Sequence, residues 1–219
     1  MLGKIAGVAL VAWAGLSFLP LPALAHHAMG GRLPMSGMEG FLAGLAHPVI
    51  GPDHLLFVLA IGALASTQAG GVWLPVVFVL TGLGGTLLHL AEMNLPLLEI
   101  FVSVSLVLAG WLLARRQTPG LAVLLGLGAI AGIFHGYAYA ESIIGAESSP
   151  LGGYLVGLAT IQLGIAVAVC QWCQFLRLSK AGVTEANGSG RSVENLLRYA
   201  GFTFFGAGLA FLSGALPSL

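Results

Sequence analysis

Gly44-Leu45-Ala46-His47-Pro48-Val49-Ile50-Gly51-Pro52-Asp53-His54-Leu55-Leu56 sets three ionisable residues and two prolines within an apolar stretch that runs from about 38 to 66. Each ionisable side chain at membrane depth costs at least ~2.5 kcal/mol for Asp on insertion scales, so each needs a partner or a purpose. Pro48, Gly51 and Pro52 predict an interruption of the helix, because a proline ring removes an N–H donor and clashes with the carbonyl four residues back. Irregular backbone at such depth is tolerated only where protein buries it or where it lines a cavity. Pro52 suits the first turn of a restarted helix, where Asp53 meets the positive end of the helix dipole. On an unbroken helix His47 and His54 would share a face but stand about 10.5 Å apart along the axis. The break predicts that His47 folds back toward Asp53 and His54.

The rest of the chain sets this stretch in a membrane. Of 219 residues 58% are hydrophobic and 7% charged, far from the roughly 25% charge of a soluble domain. The formal net charge is zero, which argues against a nucleic-acid partner. Lys4, an apolar run from Ile5 to Leu19, Pro20, Pro22 and the triplet Ala23-Leu24-Ala25 have the layout of a signal peptide over residues 1–25. Residues 26–219 then read as one all-α domain of six transmembrane helices, over about 38–66, 71–93, 95–114, 120–142, 150–176 and 193–216, with the first broken at Pro48–Pro52. Arg115 and Arg116 after the third span, and the Arg177 to Arg191 stretch after the fifth, predict cytoplasmic loops and a periplasmic N-terminus. In the fourth span Gly128, Gly132, Gly136 and Ala140 recur every four residues, a stripe that lets a neighbouring helix approach closely.

Further ionisable residues fall in the outer halves of the expected spans: His89 and Glu92, Glu99, and His135 with Glu141. No Lys or Arg accompanies them there, and a bound cation would supply the missing charge. Imidazole with carboxylate suits nickel, cobalt, zinc or copper better than calcium or magnesium. Behind an α-amine freed by signal cleavage, His26 and His27 form a weaker candidate chelate. Met29, Met35 and Met38 fit gap-filling better than ligation. Cys170 and Cys173 stand three apart with no second pair, which fits packing better than a metal site.

His47, Asp53 and His54 match the H-x5-D-H pattern of the HupE/UreJ proteins, and Phe134, His135, Gly136 and Ala138 match the start of a second pattern of that family, F-H-G-x-A-x-G-x-E. The chain departs from the second pattern at Ala140 and Ser142, with Glu141 one residue early, and Tyr137 and Tyr139 stand where many members carry histidine. The resemblance implies a six-span secondary permease of the bacterial inner membrane that imports nickel, or cobalt, for metalloenzymes such as hydrogenase or urease. It implies a transported ion, Ni2+ or Co2+, in place of a permanently bound cofactor, no enzymatic activity, and the ion and the lipid bilayer as partners, with neither nucleic acid nor nucleotide and the oligomeric state open. The candidate metal-binding residues are His47, Asp53, His54, His135, His89, Glu141, His26 and His27. No G-x4-G-K-[ST] loop for nucleotide occurs. The rival expectation is an intramembrane zinc hydrolase, since histidines with an aspartate also suit a zinc ion that activates water.

Overall fold

The computed structural model describes residues 32–181 and 190–216, and the regular structure there is helical throughout. The elements are α1 (Gly37–Ile50), α2 (Pro52–Ala65), α3 (Trp73–Leu90), α4 (Leu98–Ala114), α5 (Leu121–Ala140), α6 (Ser148–Ala181) and α7 (Gly190–Ala215). The expected signal peptide, with His26 and His27, lies outside the described residues. Four helices, α3, α5, α6 and α7, are long and apolar enough to cross a bilayer, and α1 with α2, bent by 83° at the break, makes a fifth candidate. At 17 residues, α4 measures about 25 Å, short of a hydrocarbon core of ~30 Å. Where a loop was expected from 177, α6 instead continues to Ala181. The residues past the apolar stretch, Arg177, Leu178, Lys180 and Ala181, are mostly good helix formers.

The break in the first stretch is narrower than expected. Pro48 sits inside α1, and the chain turns at Gly51, whose N–H donates to the carbonyl of His47 at 3.2 Å. A proline this close to the end of a helix removes one internal hydrogen bond and leaves little helix beyond it to deflect. Pro52 occupies the first turn of α2 as expected, and Asp53 lies in that turn. At the other end of α1, Ser36 caps the helix by accepting from Glu39 N–H at 3.2 Å. Glu39 in turn pairs with Arg32 at 2.9 Å and accepts from Met35 N–H.

Three helix pairs build the body, and glycine sets their separation. In α1 against α6, a Cβ on Gly44 would strike the Tyr154 carbonyl and lie 2.7 Å from Leu158 N. In α3 against α5, a Cβ on Gly132 would lie 2.5 Å from the Phe78 carbonyl. The expected small-residue stripe of the fourth span therefore does bring a neighbour to backbone contact. Residue numbers rise together along both pairs, so α1 runs parallel to α6, and α3 parallel to α5. The pair α4 and α7 runs antiparallel, with Gly110 facing Gly201 and Val107 facing Gly208. The outward surface is apolar: Leu80, Val156, Trp172, Phe175 and Phe202 are all exposed, whereas Thr86, Ser103, Gln162 and the cluster histidines are buried. Polar inside and greasy outside is the arrangement that lipid demands of its solutes.

Candidate functional site

The interior polar residues converge where the break lies. His47 comes from the last turns of α1, His54 from the first turn of α2 and His135 from α5. Their exposures are 6%, 5% and 0%. Ring centroids of His47 and His54 are 6.0 Å apart, and those of His54 and His135 are 5.2 Å apart. The bend has therefore folded His47 toward His54 as the sequence predicts, shortening what would be a span of about 10.5 Å along a straight helix. Gly51 permits this turn, because a Cβ there would stand 2.9 Å from His54 Cδ2 and 3.3 Å from Asp53 Oδ1. Asp53 is half-buried beside the same turn.

The hydrogen bonds assign tautomers. Ser105 Oγ donates to the Val102 carbonyl at 2.6 Å. His135 Nε2–H is therefore the donor toward Ser105 Oγ, at 2.8 Å. In a neutral ring this makes His135 Nδ1 an acceptor. His54 Nδ1, 3.1 Å away, carries the proton between the two, and His54 Nε2 is then a lone-pair nitrogen. Phe57 stacks on His135 at 4.3 Å, which holds the ring plane.

Two tyrosines complete the enclosure. The Tyr139 ring lies 4.4 Å from His54 and 5.2 Å from His47, in a place where the resemblance leads one to expect another imidazole. Tyr154 packs edge-on to His47 at 6.1 Å and donates its hydroxyl to the Tyr139 carbonyl at 2.8 Å. Tyr139 Oη and Gln162 Nε2 are both buried, and the Gln162 amide faces the Tyr139 hydroxyl.

Sequence reasoning alone did not find Ser105, Gln162 or Tyr154. Their signal was present in principle, as hydroxyl and amide groups within otherwise apolar helices.

The other expected ligands do not join the cluster. His89 Nδ1–H donates to the Tyr137 carbonyl at 2.8 Å, and the ring stacks on Tyr137 at 4.0 Å. Glu141 is exposed just past the end of α5. Cys170 and Cys173 are free thiols buried among apolar side chains, the packing role expected of them. Nor do three or more His, Cys, Asp or Glu side chains among the described residues converge closely enough to hold a metal ion as they stand. The closest two of these groups are His54 and His135, whose Nδ1 atoms are 3.1 Å apart.

Helices that span lipid, an apolar exterior and an imidazole cluster at the interior break define an all-α, multi-pass membrane protein with a polar site inside it. The chain belongs to the HupE / UreJ protein family, whose sequence pattern matches residues 14–211. It is 34% identical over 188 residues to Protein HupE of Rhizobium leguminosarum bv. viciae, a match that covers 81% of this chain and 90% of that protein. No solved structure matches.

Proposed function

We propose that the chain is a secondary permease that carries nickel or cobalt inward across the bacterial inner membrane, through six spans, to supply metalloenzymes such as hydrogenase or urease. The observation that carries this reading is the buried meeting of His47, His54 and His135 from three helices, with Asp53 at the turn. Imidazole nitrogens with one carboxylate suit a borderline transition-metal ion as substrate. Neither His89 nor Glu141 touches this cluster, and their expected role as ligands is not carried into the proposal. Membership of the HupE / UreJ family supports transport over catalysis, and nothing among the described residues favours the intramembrane hydrolase.

Helix direction supports the six-span count. Because α3 and α5 run parallel and side by side, the chain between them must return through the full depth, and α4 is the segment available to do so despite its 17 residues. Charge supports the orientation. Arg177 donates to the Ser66 carbonyl and Arg198 to the Ala114 carbonyl. The ends of α2 and α4 meet through Gln68 and Thr118 at 2.9 Å, so these arginines share one end of the bundle with Arg115. That end is the cytoplasmic one by the positive-inside rule.

A divalent ion moving inward gains about 4.6 kcal/mol per 100 mV of inside-negative potential. The test uses purified protein in liposomes with an imposed potassium diffusion potential and radioactive nickel or cobalt. Uptake that rises with inside-negative potential, and falls on outer acidification as protons compete for the ligand nitrogens, is the expected result. Metal that stays bound with no flux at any potential overturns the reading.

A further inference from the structure

Internal repetition emerges once the packing is known. Gly40-Phe41-Leu42-Ala43-Gly44-Leu45-Ala46-His47 in α1 and Gly128-Ala129-Ile130-Ala131-Gly132-Ile133-Phe134-His135 in α5 share the spacing G-x2-A-G-x2-H. The equivalence extends to the partners. Gly44 abuts Tyr154 O and Leu158 N, and Gly132 abuts Phe78 O and Gly82 N, each an i, i+4 pair in the same order. Tyr154 sits edge-on to His47 at 87°, and its counterpart Phe78 sits edge-on to His135 at 73°. In the third pair the chain meets its own counterpart. A Cβ on Gly110 would lie 2.8 Å from Gly201 O, and a Cβ on Gly201 would lie 2.8 Å from Gly110 O. Gly110 also abuts Phe205 N, and Gly201 abuts Ala114 N, each four residues past the facing glycine. A reciprocal contact of this kind, i to j and j to i, is what a twofold axis between two segments produces. The parallel pairs α1·α6 and α5·α3 exchange under that axis, and the antiparallel pair α4·α7 maps onto itself.

The two halves differ at one chemically informative place. Tyr154 donates its hydroxyl to Tyr139 O and accepts from Ser142 Oγ at 3.0 Å, tying α6 to the end of α5. Phe78 has no hydroxyl with which to make the mirror-image tie. The opposite end of the cluster instead holds a cavity of about 40 Å³, lined by Phe57, Ile61, Leu74, Leu124 and Gly128, that reaches Ser105. Ser105 is the residue that holds His135.

We propose that residues 37–114 and 121–215 are two inverted three-span repeats, that the packed pairs they form, α1·α6 and α3·α5, rock against each other about the histidine cluster, and that Tyr154 is a one-sided latch holding the α5 end closed while the opposite end carries the cavity. Inverted repeats place a site at their interface and let access alternate by rocking of one packed pair against the other. The proposal stands on geometry and does not depend on which ion is carried.

The test is electron–electron distance measurement on full-length protein in nanodiscs without metal, in a Cys170→Ala, Cys173→Ala background. One spin-label pair, at Met93 and Ser148, reads the gap between α3 and α6 at the latched end. The other, at Val72 and Phe175, reads it at the cavity end; all four positions are exposed. Tyr154→Phe removes only the hydroxyl and with it both hydrogen bonds, and each neutral hydrogen bond lost shifts a two-state equilibrium by roughly fivefold. The expected result is a larger long-distance population for 93–148 and a matching short-distance gain for 72–175. Ser142→Ala should move both distances the same way but less. A latched end that lengthens alone, two gaps that move together, or no change in either variant overturns the proposal. None of these readings uses transport, so they fail separately from the permease assignment.

Discussion

Two sets of ionisable residues look alike in the sequence and are treated differently by the fold. His47, His54 and His135 are at most 6% exposed and face one another. Glu92, Glu99 and Glu141 are exposed, at the end of α3, the start of α4 and the end of α5, and His89 is spent on a backbone carbonyl. A carboxylate at the end of a spanning helix can reach the polar headgroup region, so its presence within an apolar stretch costs little. An imidazole buried at the bend inside the bundle has no such escape, and its neighbours must satisfy it. The comparison teaches that burial at the bend, more than residue type, separates the clustered imidazoles from the rim groups.

The largest contrast between the sets should appear in uptake. His54→Ala or His135→Ala should lower nickel or cobalt uptake by more than about tenfold at matched protein level, since even supporting groups around a metal are worth about 10- to 100-fold. His89→Ala and Glu141→Gln should leave it nearly unchanged. Loss in the rim variants equal to that in the cluster variants would erase the distinction.

Packing offers a second contrast, read by thermal unfolding. Gly132→Ala drives a methyl group against Phe78 O and the Thr81 hydroxyl, and overpacking of this kind costs about 1–3 kcal/mol. Gly126→Ala, on the same helix with nothing within 4 Å, should melt like the parent. Equal melting of the two variants would contradict the backbone contact between α3 and α5.

A smaller effect is expected from Ser105→Ala, which removes the partner of His135 Nε2 and leaves the imidazoles in place. It should raise the nickel concentration for half-maximal uptake by about tenfold, with little loss of maximal rate. The smallest is Thr86→Val. It deletes a hydrogen bond to the Gly136 carbonyl at 2.8 Å and should cost about 1 kcal/mol in unfolding with uptake intact.

Much of this was legible in the sequence because its cause is local. Gly51 and Pro52 interrupt a helix wherever they occur together, so the bend and the return of His47 toward His54 could be read from Gly44 to Leu56. The glycine stripe of α5 announced a close neighbour. Its partner could not be read, since nothing in Gly128, Gly132 and Gly136 says which helix supplies the opposing backbone. The same gap hid Ser105 and Gln162, whose importance lies in facing His135 and Tyr139 across helix interfaces. The resemblance put His135 among the candidate residues, and the fold sets it 3.1 Å from His54, but the resemblance could not show that Tyr139 would fill an imidazole's place with a phenol ring. Pro48 was overread: position within the last turns of a helix decides whether a proline breaks it.

The central claim is that His54 and His135 act as one site, although they come from helices far apart in the chain. A double-mutant comparison of nickel uptake into liposomes tests it most directly, with His54→Ala, His135→Ala and the pair together. If the two rings serve one ion, each single variant removes most of the uptake and the double variant falls little further. Losses that multiply, or substantial uptake retained by either single variant, would contradict the shared site.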